Sequence, residues 1–552
     1  MTFFLAIPRA VTRPLAVVVL VAWAGCMAAL VHRAYLEAAP ANLATDLARY
    51  GPTATWRGIY YRGEKIGFTV SQTIRTAEGF ELQEDARLLL TLLGSSSTTT
   101  IRTTAWVDSA FALRSFAFSL DPGTGPVEVR GTVADAGGAS RLRLAVTSGG
   151  STRTEERPLE EPPATSLNLF RMLASRGLTP GARHRWTIFD PATLRNARMD
   201  VRVGEREIIR TRDGIMPAFR VEMAYLGLQT TAWVTDTGEV IREESPLGLM
   251  TMRETPEQAQ GLAIPGRVQQ DLLRMSAVVP VMRQRIDEPR AVRRLRLRLD
   301  GLDLPRTDLD GVGQTADGTV IEIRDPRTLE PGPADPEAAR YLAPEPLIES
   351  DAPEIVAEAR RALQGVVGAR ARAERLTRYV DSLLDKKPTV SLPSALEVLR
   401  TKVGDCNEHT ALYVAMARAA GLPARIAVGL VYVRGAQGAF YYHAWPEVYL
   451  DEGDGRGLWL PVDPTLNQFP ADGTHLRLVR GGLEEQATIV PLIGRLRMTV
   501  LELDLDPAVT PVLVGREQAG LAPLAAPPVP RSACGCDTPR APQRAGAPGT
   551  PP

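Results

Sequence analysis

The chain has 552 residues, 44% of them hydrophobic and 23% charged, which is enough apolar material for several folded domains of ~150 residues and leaves room for disorder only locally. Lysine plus arginine and aspartate plus glutamate are equal at 64 each, so no global basic field exists to gather phosphates and nucleic acid is not expected as a partner. The four cysteines, at 26, 406, 534 and 536, are too sparse and too clustered for a disulfide framework.

From Leu15 to Val31 the chain runs uncharged and apolar, with Arg9 and Arg13 before it and His32, Arg33 and Glu37 after it. That length is short for a membrane-spanning helix and slightly long for a signal-peptide core. The surplus of arginine on the N-terminal side predicts a single-pass anchor with the C-terminal part extracytoplasmic, on the periplasmic side. A cleaved signal (a secreted protein) and a lipoprotein are the alternatives. Trp23-Ala24-Gly25-Cys26 resembles a lipobox whose aliphatic first position is occupied by tryptophan.

Between about 52 and 255 the signals are those of strands. Trp56 to Val70 reads as two extended runs around a glycine-containing turn, and Thr99–Val107, Val127–Val133, Arg141–Val146 and Met199–Val203 continue with alternating or β-branched character. One helix is predicted at Ser166–Ala174, closed by Gly177 and Pro180. The result is an antiparallel β-rich domain, either a sandwich or a curved half-barrel, with no catalytic constellation. His184 is isolated there and reads as a surface or core histidine.

A second strand-rich block runs from Ala291 to Ile323, where Val292–Asp300 alternates at period two. Its arginines at 293, 294, 296 and 298 read as a solvated face. Asp325–Pro346, rich in proline and glutamate, should be an extended linker. Helices follow at Pro353–Val367 and Arg370–Leu384, and a third starts at Ser394 with Glu397 completing a capping box. After Pro507 the chain turns to proline, alanine and glycine and should be disordered. Cys534 and Cys536 supply only two soft ligands, fewer than a zinc site needs.

The chemistry concentrates in Val403-Gly404-Asp405-Cys406-Asn407-Glu408-His409. Asp405 is a good N-cap, so Cys406 should open a helix that Gly421 and Pro423 stop. At the positive end of the helix dipole the thiol pKa should fall. Ala424–Val433 and Phe440–Leu450 then read as a strand pair joined by a turn at Arg434–Ala439, with Trp459–Val462 as the next strand. This order lets His443 lie over Cys406 and Asp463 behind His443, the requirement for a nucleophile, a base and an orienting carboxylate. His409, on the same helix as Cys406, reads as structural or supporting. Asp451–Gly457 lacks the spacing of a calcium loop and reads as a hairpin turn.

Residues from about 340 to 480 resemble the transglutaminase-like superfamily. The resemblance rests on Gly404-Asp405-Cys406, on Ala417–Arg425, on His443-Ala444-Trp445-Pro446-Glu447-Val448, and on Trp459 with Val462-Asp463-Pro464-Thr465. It implies a papain-like α+β fold and a cysteine enzyme that forms a thioester, with Cys406, His443 and Asp463 as its triad. Attack by water would give peptide or amide hydrolysis, and attack by an amine would give a crosslink; hydrolysis is favoured by a small margin.

The expectation is therefore a multidomain α+β chain: an N-terminal membrane helix (1–40), an antiparallel β-rich domain (41–265), a β-rich linker domain (266–335), a transglutaminase-like catalytic domain (340–506) and a disordered tail (507–552). Its partners would be a protein or peptide substrate and the membrane, with no cofactor and no metal. The rival is a noncatalytic envelope binding or scaffold protein that uses the β-rich domain.

Overall fold

A computed structural model describes residues 50–508 apart from 93–94, 124, 137–138, 160–162, 226, 262–276, 302–307, 388–391 and 435–437, together with 47 and 512–513. The apolar segment 15–31 and Cys26, Cys534 and Cys536 lie outside the described residues, as do the middle of the turn before Phe440 and most of the C-terminal tail. No helix among the described residues is long and apolar enough to cross a membrane.

Residues 55–254 form one antiparallel sheet of fourteen strands in which almost every strand pairs with its sequence neighbour. Alternation dictates which side is inside: in Leu113–Asp121, Leu113, Phe116, Phe118 and Leu120 are buried while Arg114 points out. The edge strands are Ser151–Leu159 and Arg183–Asp190. They are brought together, because Ala164 bridges to Ile188 and the ring of Phe116 meets that of Phe189 at 5.3 Å. Of the two expected forms the curved single sheet is the one adopted. The helix inside it is shorter than predicted, Leu169–Ser175, and puts Leu169, Phe170, Met172 and Leu173 into the concavity.

The second block is a four-stranded sheet. Its strands are β1 (Val292–Asp300), β2 (Gln314–Asp317) and β3 (Val320–Arg324), joined by a strand from much later in the chain. Leu295, Leu297 and Leu299 face the core, while Arg293, Arg294 and Arg296 pair with Asp506, Asp504 and Glu502. The arginine face is solvated as expected, and it also holds the returning strand.

The stretch 325–346 is more than an extended spacer. It contains two turns of 3₁₀ helix and a two-residue strand, Gly332–Pro333, on the edge of a five-stranded sheet. Trp459 Nε1–H donates to Asp335 at 2.8 Å, and Tyr341 packs edge-on against Trp459.

The remaining elements are α1 (Pro353–Ala362), α2 (Ala369–Leu383), α3 (Ala395–Thr401), α4 (Cys406–Ala419), β4 (Ala424–Val433), β5 (Ala439–Gly453), β6 (Arg456–Pro461), β7 (Leu476–Arg480) and β8 (Arg497–Leu505). The sheet order is Gly332–Pro333, β6, β5, β4, β7. Helix α4 is buried from Glu408 to Arg418, as expected for a helix apolar nearly all round. It lies between that sheet and α1, α2 and α3. β8 leaves this layer to pair with β1, so one continuous core runs from Val278 to Met498. Val512–Leu513, within the segment expected to be disordered, pairs antiparallel with Gln284–Arg285.

The curved sheet docks on the helical layer through buried polar contacts. The hydroxyls of Ser148 and Ser394 lie 2.8 and 2.7 Å from Glu349 Oε1, and Glu349 Oε2 accepts from the Leu396 N–H. Leu347 and Leu392 complete the contact by entering the sheet's apolar cluster.

Candidate active site

Cys406 is placed by its cap. The Asp405 side chain accepts from the Asn407 N–H at 3.0 Å, and Glu408 Oε2 reaches back to the Asp405 N–H at 2.8 Å, a reciprocal capping box. Ser394 caps α3 with only the forward half of such a box, accepting from Glu397 N–H at 3.3 Å. Gly404 permits the tight approach before α4, since a Cβ there would meet Glu408 Cβ at 2.2 Å.

β5 brings the histidine to this helix start. The backbone groups of Phe440, Ala444 and Pro446 all face the edge of β5 away from β4. Phe440 is covered by Val278 and Pro446 by Val462, beyond the last residue of β6. Between them, past the end of β6, the edge at Ala444 is taken by α4. Thr410 Oγ1–H donates to the Ala444 carbonyl at 3.1 Å, and the Ala444 N–H donates to the Cys406 sulfur. The residue that follows His443 thus carries both contacts between helix and strand.

His443 Nε2–H donates to Asp463 Oδ2 at 2.7 Å. That leaves Nδ1 as the ring nitrogen for the thiol. Asp463 is fully buried at the end of β6, where its Oδ1 accepts the Thr465 and Leu466 N–H groups at 2.8 and 3.0 Å. Burial works against its charge, but His443 and His475 overcome that and hold its carboxyl far below the usual range. His443 and Asp463 are thus in direct contact, and Cys406 opens the helix that Thr410 ties to Ala444, the residue after His443.

His475 was not among the expected residues. Its Nε2 lies 3.0 Å from the same Asp463 Oδ2, and its Nδ1 faces the carbonyl and Oδ1 of Asp472 at 3.1 and 3.2 Å. Nothing in its local sequence marks it, but one signal was available: the chain has five histidines, and 409, 443 and 475 all gather here. His409 Nδ1–H donates to the Asp405 carbonyl at 2.7 Å, and burial holds its pKa down. His184 stacks on Trp186 in the curved sheet, far along the chain from any of these groups.

The thiol departs from expectation. Burial of the sulfur, aided by the carboxylates of Asp405, Glu408 and Asp463, pushes it well above the ordinary cysteine value against the opposing hydrogen bond from Ala444 N–H. The capping box that builds the helix start also surrounds it with negative charge.

His443 Nε2, Asp463 Oδ2 and His475 Nε2 lie within 4.8 Å of one another. Both imidazoles sit at hydrogen-bond distance from one carboxylate oxygen, so a cation among them would have to replace both bonds. Beside the helix start, a cleft of about 540 Å³ runs between Asn407, Thr410 and Ala444 on one side and Arg157, Thr193 and Leu194 of the curved sheet on the other.

A cysteine at a helix start, packed against an antiparallel sheet that carries His443 on one strand and Asp463 just past the end of the next, is a cysteine-protease-like arrangement. Residues 356–464 match the transglutaminase-like superfamily, and that segment is a transglutaminase-like domain. No curated protein sequence matches the chain. Among solved structures, the chain is similar to one described as a candidate cysteine protease from Cytophaga hutchinsonii, at 14% identity over 41% of this chain and 87% of that one, TM-score 0.25. It is also similar to a DUF1089 family protein from Pseudomonas aeruginosa (14% identity, 32% of this chain and 89% of that one, TM-score 0.21). A candidate protease from Parabacteroides distasonis is similar at 11% identity over 61% of this chain and 64% of that one, TM-score 0.17. Likenesses this weak establish no shared activity.

Proposed function

We propose that this protein is a cysteine acyl-transfer enzyme acting on peptide or glutamine amide bonds, with Cys406, His443 and Asp463 as its triad, and that water is its usual acceptor. The reading is carried by one observation: within the transglutaminase-like segment, the peptide of Ala444 touches the Cys406 sulfur while its neighbour His443 is bonded to buried Asp463. His443 Nδ1 takes the thiol proton as the sulfur attacks the amide carbon. The Cys406 N–H is the first-turn donor not used by the cap, and it faces the resulting oxyanion. Collapse breaks the C–N bond, with His443 giving its proton to the departing amine, and leaves a thioester. Water activated by His443 then releases the acid and restores the thiol. The cleft against the curved sheet is wide enough to admit a peptide segment beside the thiol. The apolar segment 15–31 would hold the enzyme to the membrane with this domain on the extracytoplasmic side.

The test is mass spectrometry of the full chain incubated with glutamine-containing peptides, with and without an added amine. An acyl group on Cys406 and a hydrolysed peptide, both lost in Cys406→Ala, are expected. Incorporation of the amine in preference to water would make it a crosslinking enzyme. The high resting pKa of the thiol favours the rival reading, a noncatalytic envelope protein that binds through the curved sheet. Absence of any acyl-enzyme across a peptide library would establish that rival.

A further inference from the structure

We propose that His475 is a positioning residue: a doubly protonated imidazolium that fixes Asp463 for His443 and cancels much of the charge of that carboxylate. The catalytic roles of Cys406 and His443 rest on the reading above, whereas the charge on His475 stands by itself.

The hydrogen-bond inventory requires that charge. His475 Nε2 faces Asp463 Oδ2 at 3.0 Å, and Nδ1 faces only the carbonyl and carboxylate oxygens of Asp472. Every partner is an acceptor, so each ring nitrogen must carry a proton. Either neutral tautomer would aim a bare nitrogen lone pair at a buried oxygen. Burial opposes the charge, but the bonds to Asp463 and Asp472 outweigh it and raise the pKa to about 10. Asp472 is itself committed: it accepts from the N–H and hydroxyl of Thr474 at 3.0 and 2.6 Å and from Gln468 Nε2–H at 2.8 Å. The ring is clamped edge-on against Trp445, 5.1 Å away.

The consequence falls on Cys406. The charged and titratable groups around the site are Asp405, Glu408 and His409 at the start of α4, Asp463, Asp472 and His475 after β6, and Lys386 before α3. An unshared Asp463 would add its full negative charge to those of Asp405 and Glu408 near the sulfur. Sharing Oδ2 with a cation removes much of that push.

Two measurements on the full chain test this. With ¹⁵N-labelled histidine, five imidazoles keep the spectrum sparse, and His475 should show two protonated nitrogens from pH 6 to pH 9. A neutral His475 at pH 7 overturns the proposal, whether or not Cys406 forms an acyl-enzyme. The second measurement is the pH profile of Cys406 alkylation by iodoacetamide. The native chain should show a single rise above the ordinary thiol range. His475→Gln keeps a donor for Asp463 without the charge and should move that rise to higher pH, with alkylation at pH 9 slower by about tenfold, the equivalent of one pKa unit. An unchanged profile in a folded His475→Gln chain also overturns it. Loss of acyl transfer with the native spectrum intact would instead count against the function proposed above.

Discussion

Asp463 is the hub of the site. One oxygen is spent on the backbone of its own turn and the other is divided between two imidazoles, so its role is to orient and to be neutralised rather than to give up a proton. Replacing it by asparagine keeps the shape but lets the amide present a donor to His443, which favours the wrong tautomer. Asp463→Asn should lower kcat/KM for amide cleavage by on the order of 10²–10⁴-fold with KM little changed, measured by steady-state kinetics. His443→Ala removes the base itself and should fall in the same range. If His443→Ala retained most of the activity, His409 would have to be the base.

Helix α4 is shaped by two demands that conflict. Its start needs a capping side chain, and the one present is an acid that raises the thiol above its ordinary value. Asparagine caps as well as aspartate but carries no charge. Asp405→Asn should therefore leave the thermal midpoint nearly unchanged while speeding Cys406 alkylation at pH 8, because more thiolate is present. Asp405→Ala should show the same faster alkylation with a stability loss of ~1 kcal/mol. Equal alkylation rates in all three chains would show that the Asp405 carboxylate does not act on the sulfur. Gly404 answers to packing alone: Gly404→Ala forces its Cβ onto Glu408 and should cost about 1–3 kcal/mol by denaturant unfolding.

Across the whole molecule, the curved sheet forms one wall of the cleft and is fastened to the helical layer by Glu349, buried between Ser148 and Ser394. Stability should follow the buried charges. From about pH 6.5 to 10 the unfolded chain gives up the His475 proton that the folded chain keeps, so stability falls as pH rises. Below about pH 4 the unfolded carboxylates of Asp463, Asp472 and Glu447 take up protons that the folded ones refuse, so stability falls as pH drops. The thermal midpoint should peak between those limits, and His475→Gln should flatten the alkaline side. A midpoint still rising from pH 7 to pH 9 would contradict the buried imidazolium.

Much of this was legible without coordinates wherever the signal is local. The cap at Asp405 and the helix it opens, the strand carrying His443, the hairpin at Asp451–Gly457 and the alternation of Val292–Asp300 each follow from spacing within a dozen residues. The helix ends were read too long at Val367, because Gly365 and Gly368 break the pattern before the apolar spacing does. What the sequence could not give is whatever depends on which distant groups share a buried volume. The return of β8 to β1, the choice of a single curved sheet and the docking of 325–346 are of this kind. So is the charge at the site: a helix start by itself predicts a lowered thiol pKa, the local Asp405 and Glu408 oppose it, and only the tertiary structure buries the sulfur, brings up Asp463 and puts a second histidine behind it. Sequence by itself singled out the candidate groups and their order along the chain, since caps and strand periods are local. Their protonation was decided by the fold, because burial and the nearness of other charges are properties of the packed molecule.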